Sequence, residues 1–155
     1  MSPGTPGDQQ VARLDSVELV RYKKEINSLS KVLRKKERIL SMMTGFMDSK
    51  RWMVCCTQSR IIFLFKLMFA EPETVEIPLE KIVFVEKSIG LLFGEITIDD
   101  DSKKTIIKNV AKNKTNLFVD TLNEAIDRKK AANVAKAAKA AKAAKEELES
   151  LGEIL

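Results

Sequence analysis

The stretch from Glu73 to Leu79 constrains the fold more than any other part of this chain. In Glu73-Thr74-Val75-Glu76-Ile77-Pro78-Leu79, the residues Val75, Ile77 and Leu79 fall on one side, with Glu76, Pro78 and Glu80 on the other. Apolar residues at period two mark a half-buried strand. Pro78 has no amide to give to a ladder, which puts this strand at a sheet edge or puts the proline at the strand's end. A single strand cannot bury its apolar side alone, so its neighbours must be strands or a helix.

Six further stretches have strand texture: residues 39–46, 51–57, 60–65, 82–87, 94–99 and 104–110. Turn-forming residues separate them: Met47-Asp48-Ser49, Gln58-Ser59, Ala70-Glu71-Pro72, Ser88-Ile89-Gly90 and Asp100-Asp101-Ser102. Gaps this short imply hairpins, and hairpins imply antiparallel neighbours. Seven short strands within about 70 residues predict a small sandwich or a partly open barrel.

Helical patterns flank the strands. Leu14, Val17, Val20, Tyr22, Ile26 and Leu29 recur at roughly helical spacing among charges. They predict a helix over about 15–27, with Asp15 or Ser16 as N-cap. A further short helical turn holds Val32 and Leu33, ahead of the basic run Arg34-Lys35-Lys36. After the strands, a helix begins near Asn113. Leu117, Phe118, Leu122, Ala125 and Ile126 form its apolar stripe, opposite Asp120, Asn123, Glu124 and Asp127. Such a helix would cap an open barrel end. Residues 129–145 are then almost entirely Lys and Ala, both strong helix formers. Their period of three makes Lys136, Lys139, Lys142 and Lys145 drift round the helix by about 60° per step. This segment reads as a semi-rigid helical spacer. Residues 146–155 turn acidic and regain Leu148, Leu151, Ile154 and Leu155, a short amphipathic piece lacking a partner. The expected organisation is a disordered leader over 1–12, a helical segment over 13–32, a β-rich domain over 33–127 and a Lys/Ala-rich helical extension over 128–155.

Composition excludes much chemistry. The 155 residues contain no histidine, which removes the commonest general acid/base and metal ligand and rules out a Ser-His-Asp or Cys-His site within the chain. The two cysteines, Cys55 and Cys56, are adjacent and in a strand would point to opposite faces, so they read as small strand residues in a reducing compartment. Asp99-Asp100-Asp101 lacks the rest of a calcium loop and reads as a solvated hairpin turn. Gly90 and Gly94 flank Leu91-Leu92-Phe93 without opening a helix, so they form no phosphate cradle. The polar N-terminus has no apolar core of a secretory signal, and the apolar stretch 61–70 is broken by Lys66 and too short to span a bilayer. A soluble, cytoplasmic protein without catalytic, cofactor or metal residues is the expectation.

The order and spacing of the strand segments carry a resemblance. Lys35-Lys36-Glu37-Arg38-Ile39-Leu40 is a charged turn entering a first strand. Thr57-Gln58-Ser59-Arg60-Ile61-Ile62-Phe63-Leu64 is a Thr-x-x-Arg hairpin followed by an apolar run. An alternating strand follows in Val75-Glu76-Ile77-Pro78-Leu79-Glu80-Lys81-Ile82-Val83-Phe84-Val85, then Gly90-Leu91-Leu92-Phe93-Gly94-Glu95-Ile96-Thr97-Ile98, and Ile107-Lys108-Asn109-Val110 closes the last strand before a helix. Residues 33–126 thus resemble the bacterial pleckstrin-homology-like domain of the YokE type. Gln58-Ser59 stands where that family often has Asn-Lys. Residues 146–155 are similar to the first helix of a short C-terminal (SHOCT-type) helical hairpin, whose second helix the sequence does not contain. The resemblance implies a mainly β fold with flanking helices: a seven-stranded antiparallel barrel, one capping helix, an N-terminal helix and a long Lys/Ala-rich C-terminal helix. Relatives are mostly of undefined biochemical function, some are thought to form ring-like oligomers, and no catalytic residue carries over.

Candidate contact residues remain. Leu91, Leu92 and Phe93 cannot all face one side of a strand, so they either plug the barrel end or project towards a partner, a membrane or a second subunit. Lys50 and Arg51, beside Asp48 on the first hairpin, are the basic residues where a pleckstrin domain would hold a phosphate or lipid head group. Arg34-Lys35-Lys36 and the Lys/Ala helix could meet phosphates by charge alone. The expected function is a non-enzymatic interaction or scaffolding module that binds protein or self-associates into a homo-oligomer, with no small-molecule substrate. The alternative is charge-driven attachment to nucleic acid or anionic membrane through Lys136, Lys139, Lys142 and Lys145.

Overall fold

The computed structural model describes residues 22–154, with side chains as far as Gly152. The leader over 1–12 and the expected helix start near Asp15 lie outside the described residues. Helix α1, Lys23–Val32, is followed by strands β1 (Ile39–Met47), β2 (Lys50–Thr57), β3 (Arg60–Phe65) and β4 (Glu73–Pro78). A 3-10 turn, Leu79–Lys81, leads into β5 (Ile82–Ile89), β6 (Phe93–Asp100) and β7 (Lys104–Ala111), and helix α2 runs from Lys112 to Ile154. The seven strands form one antiparallel sheet in the order β4-β3-β2-β1-β7-β6-β5. The sheet is curled and α2 packs over the barrel's opening, touching β1, β2, β5, β6, β7 and the 3-10 turn.

The strand pattern of the sequence is reproduced within a residue or two. β4 is an edge strand, as Pro78 requires, and Ile77 and Leu79 are buried while Glu76 is exposed. Three ends differ. Ser88 and Ile89 extend β5 rather than forming a turn, which starts at Gly90. Leu79 leaves the strand for the 3-10 turn, where its amide bonds Ser59 O at 3.0 Å. Within the described residues the helix before the strands runs unbroken from Lys23 to Val32, with no separate second turn.

β2 and β3 are covered on both faces. Trp52, Val54, Cys56, Ile61 and Phe63 point into the barrel, packed with Met43, Ile96, Ile98, Ile107 and α2. Their sequence neighbours Met53, Cys55, Ile62 and Leu64 point outward, into a second apolar cluster with Tyr22, Leu29, Ile39 and Met42, flanked by Ile26, Val32 and Leu33. Helix α1 therefore roofs the outer face of the first half of the sheet. This explains why Ile61-Ile62-Phe63-Leu64 is apolar at every position instead of alternating.

The buried stripe of α2 is Phe118, Val119, Leu122, Ala125 and Ile126. Leu117, expected in that stripe, is 57% exposed; Val119 takes its place because the helix meets the sheet on the far side of Phe118. Two glycines permit the close approaches this packing needs. A Cβ on Gly94 would lie 2.1 Å from Thr115 Oγ1 in the first turn of α2, and one on Gly45 would lie 2.3 Å from Ile107 Cγ2 across β1 and β7. Beyond Lys129 every described side chain of α2 is exposed, so about 25 residues, or roughly 37 Å of helix, project from the domain. Residues 112–154 are one element, not a capping helix followed by a separate extension.

Candidate functional site

The densest polar cluster lies at the foot of β2 and β3. The Arg60 guanidinium donates from Nε to Glu37 Oε2 at 2.9 Å and from Nη2 to Glu37 Oε1 at 2.8 Å, a two-pronged pair with both side chains buried. Nη2 also reaches Val32 O at 2.9 Å, and Nη1 bonds the Glu76 carboxylate on β4. The Thr57 hydroxyl lies 2.8 Å from Glu37 Oε2 and accepts the amides of Ser59 and Arg60, each at 3.1 Å. The Arg34 amide completes the set, 3.0 Å from Glu37 Oε1. Burial would raise the Glu37 carboxyl, but Arg60, the Arg34 amide and Thr57 together outweigh it and hold its pKa at about 2. Glu37, with Glu76 adding to it, raises Arg60 against the opposing effect of burial.

The Thr-x-x-Arg hairpin and the charged turn are therefore one structural clamp. It joins the end of α1, the turn before β1, the β2–β3 hairpin and the edge strand β4. Gln58 adds to it, accepting from Arg38 N at 2.8 Å and donating to Lys36 O at 2.7 Å. With its donors spent on Glu37, Val32 and Glu76, Arg60 presents little to an outside anion.

The basic pair on the first hairpin is also engaged. Lys50 Nζ lies 2.8 Å from Glu73 Oε2, with Trp52 and Phe65 rings beneath it at 5.9 and 5.2 Å. Arg51 Nε donates to Tyr22 Oη at 2.7 Å, tying β2 to the start of α1. Asp100 accepts the Ser102 amide at 2.7 Å, the Ser102 hydroxyl at 2.8 Å and the Lys103 amide at 2.9 Å. These bonds hold its carboxyl below the ordinary range and identify the acidic triplet as a self-bonded turn. Among the described residues, no group of three or more Cys, Asp or Glu could hold a metal ion. Cys55 and Cys56 are free and buried on opposite faces of the sheet, and burial pushes both thiols up, Cys56 to about 12.

Leu91, Leu92 and Phe93 form the β5–β6 connection and the first residue of β6. They are 89, 70 and 51% exposed, so they do not plug the barrel. The sequence reading missed a second apolar loop. Leu67, Met68 and Phe69, between β3 and β4, are exposed, and Phe69 is 98% exposed at a φ of 65°. Its signal was present in three large apolar residues between the end of a strand and Ala70-Glu71-Pro72. Lys136, Lys139, Lys142 and Lys145 lie on the projecting part of α2, all exposed and spread round it rather than gathered with the barrel residues. Two open grooves flank α2, one of about 360 Å³ against β1 with Leu117 and Thr121, the other of about 220 Å³ against β5 with Phe84 and Ile126.

The sequence of residues 33–124 matches the family model described as "Bacterial PH domain". The chain belongs to the bacterial PH domain family. The match spans Glu37, Thr57, Arg60 and Glu76 of the clamp, all seven strands and α2 as far as Glu124, just short of the last buried residues of its stripe, Ala125 and Ile126. Two solved structures are similar to this bacterial PH chain. One is the C-terminal domain of an unknown protein from Leishmania infantum, at 16% identity and a TM-score of 0.47, with 72% of this chain and 99% of that chain covered. The other is a DUF1696 family protein with a pleckstrin-homology domain from Shewanella loihica PV-4, at 16% identity and a TM-score of 0.44, covering 74% and 96%. No curated protein matches the chain. Among the described residues, no helix of the bacterial PH chain is long and apolar enough to cross a membrane.

Proposed function

We propose that this bacterial PH chain is a non-enzymatic interaction module that binds protein or a second copy of itself. One contrast carries the proposal. The ionic groups of the clamp and the first hairpin are spent on internal bonds, as in Glu37–Arg60, Lys50–Glu73 and Arg51–Tyr22, while large apolar side chains at 91–93 stand in solvent. Exposed apolar groups gathered in one loop favour a partner surface over a reactive centre. The buried thiols are poor nucleophiles, since the thiolate is the reactive form. Free cysteines also fit a reducing, cytoplasmic setting.

Light scattering on the purified full chain tests the proposal. Association that weakens in L91S/L92S/F93S supports a contact through the loop. A full chain that stays monomeric at about 100 μM and retains no protein partner would count against it.

A second reading rests on the exposed lysines of α2. Lys136, Lys139, Lys142 and Lys145 are all exposed and stand clear of the barrel, which suits charge-driven contact with nucleic acid or anionic lipid. Such binding falls steeply as salt rises. Salt-insensitive binding to duplex DNA and to anionic vesicles, or binding unchanged after deletion of 128–145, would exclude it.

A further inference from the structure

The projecting part of α2 carries a seam that its composition conceals. Val134, Ala137, Ala141, Ala144, Leu148 and Leu151 are spaced 3, 4, 3, 4 and 3 residues apart, which is the spacing of a coiled-coil contact line. No lysine or glutamate occupies any of these positions. The lysine triplets drift round the helix and end at Lys145, before they would cross the line. Val134, Leu148 and Leu151 are 69, 69 and 53% exposed, so the seam has no partner within the described residues. It points about 70° away from the stripe that packs on the barrel, counting 100° per residue, so the domain does not obstruct it.

We infer that this seam pairs antiparallel with the same segment of a second copy. Charge favours that orientation. Residues 129–145 carry Lys129, Lys130, Lys136, Lys139, Lys142 and Lys145 and no acid, whereas Glu146, Glu147 and Glu149 follow at once. Parallel pairing sets lysines beside lysines and glutamates beside glutamates. Antiparallel pairing puts Lys136 level with Glu149 of the second copy and Lys139 level with Glu146 of the second copy, which fixes orientation even where no direct bridge forms.

Packing favours it as well. In one register Val134 meets Leu151 of the second copy, Ala137 meets Leu148 of the second copy, and Ala141 meets Ala144 of the second copy. Ala137 then leaves room for Leu148 near both ends, and the pair is symmetric about its Ala141–Ala144 centre. A parallel pair would set Val on Val at one end, three Ala-on-Ala layers in the middle and two Leu-on-Leu layers at the other end, so the axes would have to splay towards the leucines. The inference rests on the self-association just proposed but assigns it to α2 rather than to the 91–93 loop.

The test is sedimentation of the full chain over a concentration series, with A141K and A143K. Both variants add one lysine to an exposed helix and keep its propensity, but only Ala141 lies on the seam. The expected result is a dimer for the full chain and for A143K, with at least a tenfold weaker dissociation constant for A141K. A dimer equally strong in A141K would overturn the seam while leaving self-association standing; a full chain monomeric at about 100 μM would overturn both. Orientation is read by oxidative cross-linking. On the seam, position 134 faces position 151 of the second copy in the antiparallel register, whereas in a parallel pair position 151 faces its own counterpart. V134C/L151C should cross-link between copies and L151C alone should not. Efficient cross-linking of L151C alone would overturn the antiparallel arrangement.

Discussion

Glu37 and Arg60 are 23 residues apart in sequence, yet their side chains meet in a two-pronged buried pair at 2.8 and 2.9 Å. Truncating one partner leaves the other charge buried without compensation, which is far costlier than losing an exposed pair. R60M should therefore destabilise the domain by about 3–5 kcal/mol. E37M/R60M should lose less than R60M, because no orphan carboxylate remains. T57V, which removes one bond to Glu37, should cost about 1–2 kcal/mol. Urea unfolding followed by Trp52 fluorescence checks all three; R60M within error of the parent would remove the clamp's structural role.

The same pair sets an acid dependence. Glu37 is held at about 2 in the folded chain against an ordinary value of 4.5. A depressed folded pKa means that the unfolded chain takes up the proton first. The stabilisation is thus fully present above about pH 4.5 and is lost as pH falls towards 2. Urea midpoints measured between those limits should fall with pH, and E37Q should flatten the slope in that window. An equal slope in both proteins would mean that another carboxylate carries it.

Gly94 is fixed by contact rather than by turn geometry. A methyl there would lie 2.1 Å from Thr115 Oγ1 and 2.7 Å from Thr115 Cβ. G94A should cost about 1–3 kcal/mol by forcing α2 off β6. T115A should not rescue it, because the Cβ contact remains. Thermal melts of G94A and G94A/T115A decide the matter.

Cys55 and Cys56 should be inert to a thiol reagent in the native protein, since burial raises both thiols and shields them. Two thiols should react at once in strong urea. Rapid labelling of either cysteine without denaturant would show that α1 or α2 opens readily.

The β-domain was largely legible because its signals are local. Val75, Ile77 and Leu79 alternate, and Asp, Ser, Gly and Pro punctuate the strands, so strand order and most boundaries follow from neighbouring residues. What was not legible depends on contacts between distant residues. Leu117 and Val119 are both apolar and flank Phe118, and only the docking angle of α2 decides which is buried. The partners of Arg60 come from α1, the first turn and β4. The roofing of the sheet by α1 did leave a mark, in the unbroken apolar run 61–64, which a strand with one wet face would not carry. For the candidate contacts, sequence found the 91–93 loop but not its exposure, and it passed over 67–69.

From Lys112 to Leu151 the second helix contains neither glycine nor proline. Barrel and tip are therefore joined by a rod with no joint, and each residue of that rod sets 1.5 Å and about 100°. The Lys/Ala stretch works as a gauge of both distance and azimuth. Inserting one alanine there would leave composition and helicity nearly unchanged yet swing the tip's leucines about a quarter-turn round the barrel, while inserting seven would lengthen the reach by about 10 Å and restore the bearing.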